Sequence, residues 1–463
     1  MEQIADQSSF HGHPPPKASW QTYLIDLLQA PAKAKAALLG CFILMTLSPA
    51  GLSAMMPFIT ASFAAHTGKP MPEAILLFVA IPLLIAPLIL PIAGAWVDRW
   101  GAKRVAIPAS VLYAVLTALI PLSSALPWLF GLVIVLASVF GFMASLAVVF
   151  KVVTGWFPRH RGIGFALIGM VSSLASAVFS PVFQWAIDGN KSGFAGLGWD
   201  GTYYAVAASI AIIAIPATLF LLSEPAYAPA EPAFPKNPAD LDLSDVPGVP
   251  LRKALRTHTW IFITVSLALA AAGPMAVRQN AVSFFAERGF DPAIVAVSQS
   301  VLFIASIVGL LLGGLTLDRS RRPWIVVPIF AVVPIGLLLS YFNHGNVPLL
   351  FLATACLGFA TGAESSLGPF LIARYFGLKC FAQLQSLTLA ISTLSLGLSP
   401  FLVSAMQMAT GSYSVPFGVL TALTGLAVLL AVFLPKYPAE WIHPAEQEGF
   451  ASRETATSRG DTF

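Results

Sequence analysis

The feature that most restricts the fold of this chain is a series of apolar stretches, each about 20 residues or longer, the length an α-helix needs to cross a bilayer. They lie near 36–64, 73–97, 105–123, 127–153, 162–187 and 202–222 and, after a break, near 259–285, 293–317, 324–342, 347–373, 382–408 and 415–434. Inside hydrocarbon every backbone N–H and C=O must pair within its own segment, so such stretches read as helices. The expectation is an all-α membrane protein with 12 transmembrane helices in two six-helix bundles. Composition agrees: 10% of residues are charged and the mean hydropathy is +0.81, against about 25% charged in a soluble domain.

Alternate connections carry the bases. One side has Arg99, Lys103, Arg104, Arg159, Arg161, Arg319, Arg321, Arg322, Arg374 and Lys379, and the other only Lys69, Lys191 and Arg288. The positive-inside rule then puts both termini in the cytoplasm, with the chain multi-pass in a bacterial inner (plasma) membrane. The expected segments are a tail at 1–34, a bundle at 35–223, a linker at 224–258, a second bundle at 259–435 and a tail at 436–463. The 1–34 tail lacks the basic-then-apolar order of a secretory signal, and Trp20 to Leu28 suit a short interfacial helix or, equally well, a floppy tail. The linker is rich in Pro and acids, then turns basic at Arg252, Lys253 and Arg256, which reads as a tether ending in a short surface helix. Cys41, Cys356 and Cys380 have no metal-ligand spacing. There is no G-x-x-x-x-G-K-[ST] phosphate loop and no nucleophile–base arrangement. No enzyme, cofactor or nucleic-acid partner is expected, and the chain is read as a monomer in the lipid bilayer.

One connection is unusually dense in charge. Gly94 to Arg104, GAWVDRWGAKR, follows the second apolar stretch and holds Asp98, Arg99, Lys103 and Arg104. Gly94 lies one turn before Asp98 on the same helix face, where a missing side chain lets another backbone approach. Gly101 suits a tight reversal. A second copy, GLTLDRSRR, carries Gly314, Asp318 and Arg319, each 220 residues on (94 to 314, 98 to 318, 99 to 319). Trp156-Phe157 corresponds to Tyr375-Phe376, and Ser180-Pro181 to Ser399-Pro400, both at an offset of 219. The loop resembles the G-x-x-x-D-R-x-G-x-[RK]-[RK] signature of the major facilitator superfamily at every position. That resemblance implies two related six-helix bundles and transport of a small molecule. Asp98 and Asp318 would accept from Arg or from exposed N–H groups at the end of an opposing helix and latch the cytoplasmic side, within a conformational gate of Gly94, Asp98, Arg99, Gly101, Arg104, Gly314, Asp318 and Arg319; a static helix cap is the plainer alternative.

KVVTGWFPRHRG (Lys151 to Gly162), GAESSLGPFLIARYFGLKCF (Gly362 to Phe381) and MATGSY (Met408 to Tyr413) resemble the monocarboxylate and oxalate/formate branch and bacterial members near it. The chain departs from that branch in having Ser366 where the pattern has Asp. Its eighth and eleventh spans offer Gln299, Gln383 and Gln385 but no interior base. It also lacks the fourth-span Arg of proton-coupled drug exporters. The resemblance implies a secondary active transporter for a small organic anion, a monocarboxylate, working by alternating access. Export of hydrophobic or drug-like compounds is the competing reading.

Ionisable groups inside a span cost about 2.5–3.5 kcal/mol on insertion scales, so each asks for a role. Two stand out: Arg278 in the seventh span and Glu364 in the tenth, both on spans that line the central cavity in the resembled family. Arg offers a forked donor for a carboxylate, and a carboxyl group in a cavity can carry a co-transported proton. Gln279 and Asn280 follow Arg278, and at 100° per residue at most two of the three face one cavity. Thr361, Ser365, Gln299 and Lys151 complete the candidate set. For the two hydroxyls the plainer alternative is a bond back to their own helix. For Lys151 it is a positive-inside anchor, and for Arg278 and Glu364 a structural bridge with each other, or an Arg278 that snorkels outward.

Overall fold

The computed structural model describes residues 31–156, 161–189, 194–224, 248–319, 323–377 and 379–438. Side chains at 86–91, 98, 147, 154, 161–166, 318, 319 and 382 are outside that description. So are the expected interfacial helix, most of the linker and the end of the C-terminal tail.

The described chain is helical, and 11 of its helices are long and apolar enough to cross a membrane. The first set comprises α1 (Ala32–Thr67), α2 (71–100), α3 (Ala102–Ser123), α4 (127–156), α5 (Arg161–Asp188) and α6 (Gly198–Phe220). The second comprises α7 (His258–Gln279), α8 (Pro292–Arg319), α9 (Pro323–Tyr341), α10 (Val347–Phe376), α11 (Phe381–Thr410) and α12 (Ser414–Val432). Each apolar stretch in the sequence falls on one of these helices, with ends differing by no more than 4 residues except at 259–285, where α7 stops at Gln279 and a short helix, Ala281–Ala286, follows. This is a multi-pass membrane protein with two six-helix sets. Tryptophans stand exposed at both ends, Trp96, Trp100 and Trp324 near the Gly94–Arg104 loop and Trp128 and Trp185 at the far end, as rings at the two membrane interfaces do.

Local chemistry explains the irregularities. Pro49 cannot donate, and α1 breaks there: the α-helix stops at Thr46 and resumes through a 3-10 turn, Gly51–Met55. Ser48 donates to Met45 O at 2.7 Å and accepts from Gly51 N, while Ser176 of α5 donates to Gly51 O at 2.9 Å. The freed polar groups are thus re-satisfied, the condition for a break at membrane depth.

At the far end each set holds an aromatic cluster. Phe63, Phe78, Phe130 and Trp199 meet in the first set. In the second, Phe284 stacks on Phe417 at 3.9 Å between centroids, with Tyr413 edge-on and Arg288 lying 4.0 Å over Phe284. At the loop end the repeat is visible in bonding. Trp156 Nε1 donates to Ser223 O at 2.7 Å, and its counterpart Tyr375 Oη donates to Pro435 O at 2.5 Å. In both sets an aromatic tip at the end of the fourth helix therefore holds the chain leaving the sixth.

The seam between α8 and α10 has no side chains in its way. A Cβ on Gly309 would strike Phe359 O, one on Gly358 would strike Leu302 O, and one on Gly362 would strike Ser306 O. Two small-xxx-small pairs, Gly309/Gly313 and Gly358/Gly362, let the backbones touch. The same contact fixes how α10 is rotated, and so where Glu364 points.

Gly101 has φ +89°, the reversal expected of it, and the N–H of Ala102 donates to Glu224 Oε1, a carboxylate at a helix N-terminus. Among the described residues, a Cβ on Gly94 or on Gly314 would have no atom within 4 Å, so the expected close approach of a backbone at Gly94 is not made by any of them. The two sets meet instead at the far end, where Ser180 Oγ donates to Ala296 O at 2.9 Å and Ser300 Oγ to Ala177 O at 2.5 Å. With the contacts concentrated there, no described residue of the other set packs on these two glycines at the loop end.

Candidate functional site

A cavity of about 440 Å³ lies at mid-depth between the two sets. Most of its wall comes from α7, α8, α10 and α11, and the first set supplies Leu83 and Ser173. Arg278, Glu364, Thr361 and Ser365 all line it. Pro274, inside α7 one turn before Arg278, lines it too.

Arg278 is half-buried and makes three contacts. Nη1 donates to Ser53 Oγ of α1 at 3.3 Å, Nη2 lies 3.0 Å from Met275 Sδ, and the guanidinium sits 5.6 Å from the centroid of Phe303. No carboxylate pairs with it among the described residues, whose one ion pair is Lys69–Glu73. The structural bridge between Arg278 and Glu364 is therefore absent. Glu364 faces the cavity with no hydrogen bond or ion pair of its own among the described residues. Two ionisable groups of opposite type thus share one mostly apolar chamber without pairing, a costly arrangement in a membrane interior.

The hydroxyls are largely committed. Thr361 donates to Leu357 O at 2.8 Å, Ser365 to Gly362 O at 2.6 Å and Ser306 to Phe303 O at 2.7 Å. Thr388 of α11 shares a hydrogen bond with Thr264 of α7 at 3.1 Å. These groups face the cavity but have spent their protons within the protein, or can spend them there.

Four candidates lie elsewhere. Asn280 is fully buried, and its Nδ2 donates to Ala276 O at 3.0 Å and to Pro400 O at 3.1 Å, stitching α7 to α11 where α7 ends. Gln279 is buried off the cavity, as is Gln299, whose amide N and O have no hydrogen-bond partner. Lys151 Nζ donates to Val97 O at 2.6 Å, tying α4 to the end of α2. The helical turn decides all four, because neighbours in sequence point in different directions. The side chains of Asp98, Asp318 and Arg319 lie outside the described residues.

Sequence reading passed over Phe303, Ser306 and Ser53. The signal for the first two was faint: their place on the wall follows from the small-residue seam beside them, itself legible as Gly309-x-x-x-Gly313. Ser53 had no signal, since its role depends on the break in α1.

Comparison with known proteins follows the same lines. The sequence matches the Major Facilitator Superfamily profile over residues 41–298 and 279–459. It is 24% identical to monocarboxylate transporter 13 of Bos taurus over 351 residues, 74% of this chain and 76% of that protein. It is 25% identical over 326 residues to the MFS transporter asaE of Aspergillus flavus, covering 70% of this chain and 69% of that one. Among solved structures, the nucleoside transporter NupG superposes with a TM-score of 0.69 at 16% identity, over 86% of this chain and 99% of the other. A bacterial homologue of the human lysosomal transporter Spinster, in an inward-facing and unoccupied conformation, superposes with a TM-score of 0.64 at 13% identity, over 88% of this chain and 95% of the other.

Proposed function

This chain belongs to the major facilitator superfamily, and from that premise we propose that it is a secondary active transporter of a small organic anion, a monocarboxylate, working by alternating access in a bacterial inner membrane. One observation carries the reading: Arg278 and Glu364 face one mid-depth cavity and are not paired with each other. Arg278 holds the substrate carboxylate, for which its planar fork is suited. Glu364 carries the coupled proton. The matched monocarboxylate transporter supports the substrate class at a distance.

The arrangement of contacts supports a mechanism. With the far end held by Ser180, Ser300 and the Arg278–Ser53 bond, and no described residue against Gly94 or Gly314, this form reads as inward-open. The basic connections lie on the cytoplasmic side. A carboxylate arriving at Arg278 competes with Ser53 for its N–H groups, so occupancy loosens α1 from α7. Asp98 and Asp318 latch the cytoplasmic end in the opposite state. A ligand shifts such an equilibrium only by its differential affinity for the two states.

Export of hydrophobic compounds is the second reading, favoured by the apolar share of the wall. Proteoliposome assays separate the two. Under the anion reading Arg278→Lys transports at least about tenfold less, because the ammonium loses the fork. Glu364→Gln loses uphill uptake yet retains exchange of one substrate molecule for another. Normal proton-driven uptake by Glu364→Gln ends the carrier role, and unchanged substrate affinity in Arg278→Ala ends the anion site.

A further inference from the structure

The cavity holds more than a three-carbon acid needs. We infer that the natural cargo is a carboxylate joined to a bulky apolar body, aromatic or branched, of about eight or more carbon atoms, a size that suits a pocket in this range. The inference rests on the anion-site reading of Arg278 and adds the rest of the molecule to it.

Three observations carry it. The volume is about 440 Å³, whereas an apolar cavity of about 150 Å³ already accepts benzene. A pyruvate-sized anion would leave most of the chamber to water against leucine side chains. The wall beyond the anion site is mostly apolar, with Leu83, Leu267, Met275, Leu302, Leu389 and Leu396. Phe303 lies beneath the guanidinium, 5.6 Å from it, so a flat ring extending from a bound carboxylate meets an aromatic face. Lastly, much of the polar wall is already committed. Thr361, Ser365 and Ser306 have their protons on backbone carbonyls, and Thr388 is bonded to Thr264. Besides Arg278 and Glu364, that leaves Ser173, Gln385 and Ser392. A sugar or nucleoside, with a ring of hydroxyls to satisfy, would bury some of them unpaired, each at a cost in affinity.

The test uses the full chain in nanodiscs, with calorimetric titration of acetate, pyruvate, benzoate and 2-naphthoate, and of 2-naphthylmethanol as the neutral control. Affinity should climb along the acids, by about 30-fold or more from pyruvate to 2-naphthoate, since each buried methylene-sized unit is worth roughly fourfold. Phe303→Ala should weaken 2-naphthoate by about fivefold or more and pyruvate by less than about twofold, with Phe303→Leu between. Leu389→Trp, which fills space without removing a contact, should weaken the bulky acid and spare the small one. Pyruvate binding as tightly as 2-naphthoate, with both lost in Arg278→Ala, overturns the bulky-cargo inference and leaves the anion site standing. Equal binding of 2-naphthylmethanol and 2-naphthoate overturns the anion site. No binding by any acid overturns both.

Discussion

At the scale of single residues, the hydrogen bond from Arg278 to Ser53 is weak in geometry, 3.3 Å, but strategic in position. It is a polar tie between α1 and α7 that ends on the group proposed to bind substrate. Ser53→Ala removes the competitor, so carboxylate affinity should rise by about threefold to tenfold, the range of an ordinary intramolecular hydrogen bond after exchange with solvent, as suits a bond this long. Titration calorimetry reads this directly, and weaker binding in Ser53→Ala would rule out competition. Asn280 serves as the contrasting neighbour. Its amide stitches α7 to α11 away from the cavity, so Asn280→Ala should cost about 1–3 kcal/mol of stability with ligand selectivity unchanged. A thermal unfolding scan in detergent, paired with the same titration, checks both halves of that statement.

Among elements, the α8–α10 seam is the least forgiving contact. Gly362 and Gly309 face backbone atoms across it, with no flexible side chain to move aside. Gly362→Val should part the helices and cost about 3 kcal/mol or more, the upper range for overpacking, seen as loss of monodisperse protein in size-exclusion chromatography. Gly94→Ala is the counter-case. A Cβ there meets no described atom in this state, so stability should hold within about 0.5 kcal/mol, the usual effect of a substitution away from contacts. Transport should still fall if, as proposed, alternating access brings that face against the other bundle. A melting temperature and an uptake rate measured on one preparation give the answer, and unimpaired uptake would remove Gly94 from the gate.

For the whole molecule the questions are orientation and state. If both termini are cytoplasmic, a cysteine introduced as Lys236→Cys reacts with a membrane-impermeant maleimide only after the cells are opened, and labelling of intact cells would reverse the topology. If Asp98 latches the cytoplasmic end when it closes, Asp98→Asn should enlarge the inward-open population. It should also cut transport more than binding, because a latch contributes to one state only. Distances between spin labels across the cytoplasmic ends would report that shift, and unchanged populations would dismiss the latch.

The sequence by itself determined the crossings, because a span needs about 20 apolar residues and must close its own hydrogen bonds. It determined the repeat too, since Gly94, Asp98 and Arg99 recur 220 residues on. It singled out Arg278 and Glu364 by the rarity of charge inside a span. It could not choose between a bridge and two separate groups, nor tell that Asn280 and Gln299 turn away while Phe303 and Ser306 turn in. Those outcomes depend on how each helix is rotated about its axis. That rotation is set by contacts between helices far apart in sequence: Gly362 against Ser306, Asn280 on Pro400, and Ser53 carried to Arg278 by a break at Pro49. A helix fixes which of its residues share a face, and only its neighbours decide what that face meets.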